Sequence, residues 1–208
     1  YEQNFKDDDF YVGKSNFYAF EMINKWPKWE KNFLNINGKK FSGKTHLVNI
    51  FLKKFNGIRI DVNSLNDENI KSIKPYQNIV LEDLNLNINE KLIYSLFNII
   101  DQDNKFLIIT SIKPISEINF QLEDLRSRTK NCLFANIQNP DDELMFALIL
   151  KNLSDRQITL DKKLINFIIK RIERSYGKIF EFIYKIDKIS LKKKKSIDFK
   201  IINDALEE

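Results

Sequence analysis

Eight residues, Gly38-Lys39-Lys40-Phe41-Ser42-Gly43-Lys44-Thr45, fit the pattern G-x-x-x-x-G-K-[ST], a loop that wraps the phosphates of a nucleotide. Consecutive backbone N–H groups, from Gly38 through Ser42 and Gly43, face one point together with the start of the following helix. Anionic oxygens are then held without a separate side chain for each. Lys44 would bridge the β- and γ-phosphates, and the Thr45 hydroxyl would ligate Mg2+. A second cluster is Asn78-Ile79-Val80-Leu81-Glu82-Asp83. Three apolar residues and then two carboxylates describe a central parallel strand with acids at its C-terminal end, where an open α/β sheet places its ligand crevice. Of Glu82 and Asp83, one can help hold Mg2+ and its waters while the other orients a hydrolytic water.

Such groups need a frame. Residues 33–36 read as a short buried strand before the loop. Thr45–Lys54 reads as a helix turning Leu47, Val48, Phe51 and Leu52 inward. Further on, the pattern predicts a helix from an N-cap at Ser15 to Lys25, a strand over 57–62 and a short helix over 64–72. An amphipathic helix over 90–100 and a strand over 106–111 follow. That strand ends in Thr110 and Ser111, and Ser111 is a candidate sensor of the terminal phosphate. Residues 122–128 read as a short helix bearing Arg126 and Arg128, in a chain with only six arginines. An arginine reaching a neighbour's γ-phosphate stabilises transition-state charge; the alternative is ion pairing with Glu123 or Asp124. A strand over 131–137 closes the alternating part.

Asn139 is the expected cap of the next helix, with Pro140 in its first turn and Asp142 completing a capping box. From there the spacing is helical throughout: 144–153, 161–175, 178–189 and 198–206. Alternating strands and helices followed by helices alone predict an α/β fold, a central parallel sheet flanked by helices (residues 1–138), with a small all-helical lid (139–208).

Composition narrows the class. Of 208 residues 43% are hydrophobic and 30% charged, with net charge +5 carried mostly by lysine. No apolar run reaches membrane-span length, so no membrane partner is expected. A single cysteine, Cys132, precludes an internal disulfide and suits a reducing, cytoplasmic setting. The Lys192–Lys195 run reads as a solvated helix end, since it lacks the interleaved aromatics of single-strand binders. Trp26 and Trp29 read as core anchors, and His46 as a packing residue of the nucleotide site.

With the loop extended as Gly43-Lys44-Thr45-His46-Leu47, the chain resembles the DnaA branch of the AAA+ ATPases. It is most similar to the Hda group, alphaproteobacterial regulators of replication initiation. Four stretches carry the likeness. Asp9-Phe10-Tyr11-Val12-Gly13-Lys14-Ser15-Asn16 resembles the box bordering the adenine, which implies contacts from Phe10, Val12 and Asn16. Trp26-Pro27-x-Trp29 precedes the first strand, Leu125-Arg126-Ser127-Arg128 matches the arginine-finger box, and residues 169–175 resemble a lid-helix segment.

The resemblance implies a protein seated on the DNA polymerase III sliding clamp, touching DNA only through it. Such a protein presents Arg128, with Arg126 second, to ATP held by DnaA, and so silences the initiator. It also implies self-association through the interface AAA+ proteins share. Departures from the family pattern are Lys39, Lys40 and Phe41 within the loop, Glu82 for the usual aspartate, Ile112 at the strand end, and Gly177 at the lid-arginine position. Lys178 is adjacent and could substitute in part, although an ammonium is not a guanidinium fork. These departures imply a holder of ATP or ADP and Mg2+ with weak, regulatory ATPase activity. The opening Tyr1 leads us to expect residues upstream, a clamp-binding peptide among them. No helix-turn-helix reader is expected beyond the lid. Rival readings are a DNA-binding initiation adaptor and a helicase-loader ATPase.

Overall fold

The computed structural model describes residues 10–85 and 88–207. The clamp peptide sought near Tyr1 and Asp9 of the adenine box lie outside them. The chain forms two compact units. One holds Phe10, Asn16–Lys39 and Gly43–Gln138; the other holds Tyr11–Ser15, Lys40–Ser42 and the residues from Asn139 onward. A single cut in the sequence has no means of expressing those two short pieces.

The first unit is a parallel sheet of β1 (Phe33–Gly38), β2 (Ile58–Asp61), β3 (Asn78–Leu84), β4 (Phe106–Ser111) and β5 (Leu133–Ile137). Their order is β2-β3-β4-β1-β5, and every pairing is parallel. Parallel strands covered on both faces lose the alternation of polar and apolar residues, and β1 is buried at all six positions. The helices are α1 (Phe17–Lys25), α2 (Lys44–Phe55), α3 (Asp67–Ser72), α4 (Glu90–Gln102) and α5 (Glu123–Lys130). Leu96, Phe97 and Ile100 of α4 join Leu81, Leu107 and Ile109 in one core, where Phe33 stacks on Phe97 at 4.6 Å. Trp26 packs on Phe51, Phe55 and Phe106. The Trp29 indole donates to the Met22 carbonyl at 2.7 Å.

Asn35, fully buried in β1, ties three segments together. Its amide donates to the Ile109 carbonyl at 3.0 Å and the Ser111 hydroxyl at 2.9 Å, and its oxygen accepts from the Ile115 N–H at 3.0 Å. Asn35→Ala orphans buried backbone groups and is expected to cost about 2–4 kcal/mol in urea unfolding. A loss under about 0.5 kcal/mol, the range of an ordinary surface substitution, would show the tie to be dispensable.

Cys132 is buried, and burial pushes its thiol up to about 12. A thiol reagent at neutral pH is expected to leave it untouched until urea unfolds the chain. Rapid labelling of the folded protein would contradict this packing.

The second unit packs α6 (Asp142–Asp155), α7 (Lys162–Ile169), α8 (Tyr176–Lys193) and α9 (Phe199–Glu207) around Ile149, Ile165, Ile168, Ile183, Ile186 and Ile202. Several element ends differ from expectation. The α1 cap is Asn16, not Ser15; the Ser15 hydroxyl instead meets the Tyr176 hydroxyl at 3.3 Å. Asp141, rather than Asn139, caps α6, accepting from the Leu144 N–H at 2.8 Å, so Pro140 stays ahead of the helix. Helix α7 ends at Ile169 instead of Ser175. Ile172 still packs on the core after the helix has ended, which is why periodicity did not register the stop. Helix α8 is longer than its apolar pattern. It closes at Lys194 in the left-handed region, with Lys193 paired to Asp204 and the lysine run exposed. The helix expected over 64–72 is a 3-10 turn at Val62–Ser64 followed by α3.

Candidate nucleotide site

Strand β1 delivers the chain into the phosphate loop at Gly38, and α2 leaves it at Lys44. The junction is a strand-to-helix turn at the C-terminal edge of the sheet. Gly43 turns it, at φ 92°. A side chain there would be strained by the backbone and would also stand 3.1 Å from Phe10 Cε2. The Phe10 ring meets His46 edge-on at 5.2 Å and stacks on Phe20 at 5.8 Å. Phe10, Gly43 and His46 therefore meet at the start of α2. Asn16 is buried nearby in sequence at the head of α1, whereas Val12 is exposed in the other unit.

Lys44 is buried, and its ammonium donates to the carbonyls of Gly38 at 2.8 Å and Lys39 at 3.0 Å. Burial lowers its pKa, opposed by the charges of Asp83 and Glu82. The carboxyl of Glu82 is itself raised, chiefly by burial. Arg59 and a hydrogen bond from the Thr45 hydroxyl pull the other way. Among the described residues, Glu82 Oε1 and Ser42 Oγ are buried without hydrogen-bond partners. A carboxylate with one open oxygen, hydrogen-bonded to the Thr45 hydroxyl, is the donor set a water-rich Mg2+ takes, so Thr45 and Glu82 fit that ion. No group of three or more His, Cys, Asp or Glu able to hold a metal occurs among the described residues. A metal here would therefore depend on waters and phosphate oxygens.

Asp83 is exposed and sits at φ 59°, where the ladder to β4 slips between Leu81 and Leu84. Its N–H donates to the Thr110 hydroxyl at 2.9 Å. Ser111 ends β4 with its side chain buried. It lies beside Asn37 in register, but its hydroxyl donates to the Lys113 carbonyl at 2.6 Å and accepts from Asn35. A hydroxyl so committed has no proton left for a phosphate. Lys178 is exposed in the first turn of α8 and pairs with Glu181 at 2.8 Å. An added Cβ on Gly177 would stand 3.2 Å from the Phe41 ring, so Phe41 takes up the space beside Gly177.

Helix α5 is held by Glu90, whose two carboxylate oxygens accept from the N–H groups of Gln121 and Leu122 at 2.9 Å each. Arg128 Nη1 meets Asp101 Oδ2 at 2.5 Å, and its guanidinium lies 5.5 Å over the Tyr94 ring. Its side chain remains 34% exposed. Arg126 makes a looser contact with Glu123 at 3.6 Å and is 42% exposed. Sequence reasoning missed Asp101, Tyr94 and Glu90 because their roles depend on α4 crossing α5. It also missed Arg59, whose Nε sits 3.2 Å from Glu82 Oε2. Its rarity as an arginine was the one available signal.

No protein-family model matches the chain. Among curated proteins it is 26% identical over 227 residues to the chromosomal replication initiator DnaA of Thermoanaerobacter sp., covering 97% of this chain and 51% of that protein. It is 29% identical over 197 residues to DnaA of Helicobacter hepaticus, covering 83% of this chain and 42% of that protein. The chain thus spans about half the length of the curated relatives it matches. Among solved structures, domain III of Thermotoga maritima DnaA superposes with TM-score 0.78 at 20% identity, covering 98% of this chain and 95% of that one. AMPPCP-bound DnaA from Aquifex aeolicus gives 0.73 at 20%, covering 90% of this chain and 65% of that one. A Thermotoga maritima RuvB mutant gives 0.73 at 13%, covering 95% and 70%. Over nearly its whole length the chain is thus similar in sequence to a part of the DnaA initiators, and it shares the fold of DnaA domain III.

Proposed function

We propose that this chain binds ATP or ADP with Mg2+ and restrains replication initiation by stimulating ATP hydrolysis on DnaA. In this reading Gly38, Ser42, Gly43, Lys44 and Thr45 hold the phosphates, with Phe10, His46, Val12 and Asn16 toward the base. Residues 1–138 act as the nucleotide domain and 139–208 as its lid. Thr45 and Glu82 would carry Mg2+, which when bound neutralises phosphate charge, and Asp83 would orient water. Arg128 acts in trans as the finger, Arg126 second, with the chain seated on the sliding clamp.

One observation carries the proposal. Two partly exposed arginines stand on α5, a short helix anchored through Glu90, while the loop's own Lys44 is buried, as is Glu82 at the end of β3. A domain that both holds a nucleotide and exposes a braced arginine is equipped to act on a neighbour's nucleotide. The test is DnaA's ATPase rate with and without this protein on clamp-loaded DNA. Stimulation supports the reading, and an unchanged rate ends it.

A second reading has its own support. The relatives matched are initiators, and one matched structure is DnaA bound to AMPPCP and single-stranded DNA. ATP-dependent assembly of this chain on single-stranded DNA, without effect on DnaA's ATPase, would favour that reading.

A further inference from the structure

We propose that Arg59 is a positioning residue for the metal side of the nucleotide site, and that its charge on Glu82 makes nucleotide retention nearly independent of Mg2+. The inference rests on the nucleotide reading above.

Register sets the arrangement. Arg59 pairs with Val80 and Asp61 with Glu82 across β2 and β3, so all four side chains share one face of the sheet. Asp61 sits nearer Arg59 in sequence, but its carboxylate already accepts from the N–H and the amide of Asn63 at 2.7 and 2.9 Å. The guanidinium turns instead to Glu82, with Nε 3.2 Å from Oε2. Its far end is fixed by a hydrogen bond to Asn49 on α2. Arg59 is 36% exposed and Glu82 10%, so the cation sits at the mouth and the carboxylate behind it.

The charge count follows. Lys44 and Arg59 stand against Glu82, Asp83 and Asp61, two cations against three anions, before any nucleotide arrives. Mg2+ usually draws on one or two carboxylates and substrate phosphates. Here the one buried carboxylate already has a fixed cation on Oε2. A divalent ion using Oε1 would lie within a few ångströms of that guanidinium, and like charges at such separation repel strongly in a partly buried site. The same guanidinium replaces part of what the metal would do for the phosphates. Glutamate's longer reach leaves Oε2 with Arg59 while Oε1 stays unpartnered.

The experiment is equilibrium binding of a fluorescent ADP analogue to the full chain, in EDTA and across a Mg2+ titration, for wild type, Arg59→Gln, Arg59→Met and Arg59→Lys. The readout is the ratio of affinity in Mg2+ to affinity in EDTA, which a merely structural loss would not move. Wild type is expected to show a ratio of no more than about three. Removing the charge in Arg59→Gln is expected to raise that ratio, and to lower the half-saturating Mg2+ concentration, by about tenfold or more. Arg59→Met keeps the aliphatic stem and stands in should Arg59→Gln unfold on heating below the assay temperature. Arg59→Lys, which keeps the charge, is expected to restore the wild-type ratio. Equal ratios in wild type and the charge-removing variants overturn the proposal and leave nucleotide binding intact. Absence of binding by wild type in both buffers overturns the nucleotide reading, and this proposal with it.

Discussion

Arg128→Ala is expected to remove nearly all stimulation of DnaA's ATPase, a fall on the order of a hundredfold or more, because a trans arginine contributes about a thousandfold or more to nucleotide hydrolysis. Nucleotide binding by the variant itself should stay within about twofold, since Arg128 lies on α5 while the phosphate loop joins β1 to α2. The contacts of Arg128 explain why truncation should matter so much. Asp101 takes one nitrogen at 2.5 Å and the Tyr94 face supports the plane. An arginine has five donors in a rigid fork, so the remaining donors stay presented, and much of the side-chain entropy is lost in advance of any encounter. Asp101→Ala tests that bracing: stimulation should fall part of the way, with the charge still present. The companion variant Arg126→Ala should lose far less, its guanidinium being held only by Glu123 at 3.6 Å. Full stimulation by Arg128→Ala, measured as phosphate release from DnaA, would remove the finger assignment.

The second large effect is on the chain's own nucleotide. Lys44→Ala is expected to weaken ATP and ADP binding by about ten- to a hundredfold, the equivalent of the charge-assisted hydrogen bonds a buried ammonium makes to phosphate. The ammonium donates to two loop carbonyls, Gly38 and Lys39, so the truncation also leaves those oxygens to water. A modest fall in melting temperature accompanies the loss of affinity and is read separately by thermal unfolding without nucleotide. Burial lowers the Lys44 pKa, but the carboxylates of Asp83 and Glu82 act against that. Unchanged affinity in calorimetry would mean that the loop at Gly38–Thr45 does not hold phosphate.

How much of this was legible beforehand follows from the range of each interaction. The phosphate loop and its flanking strand and helix are local. Gly43 must turn at positive φ, Phe33 to Gly38 must be apolar enough to be buried, and both facts reside within a dozen residues. The strand-end acids and the paired arginines were legible for the same reason. Helix ends were less so. Asn139 and Asp141 are both competent caps, and only packing of Leu144 and Met145 chooses between them. The partner of the Ser111 hydroxyl was not legible either, because Asn35 lies 76 residues away.

By itself, then, the sequence determined the α/β class and the strand–loop–helix frame around residues 38–45. The tertiary structure alone decided the partners: Arg59 on Glu82, Asp101 and Tyr94 on Arg128, Glu90 on the backbone before α5. Backbone propensity and hydrophobic period act over a turn or a strand and are written in consecutive residues. Ion pairs and buried hydrogen bonds are chosen by which faces the sheet order and helix crossings bring within about 3 Å, and no window of sequence contains that choice.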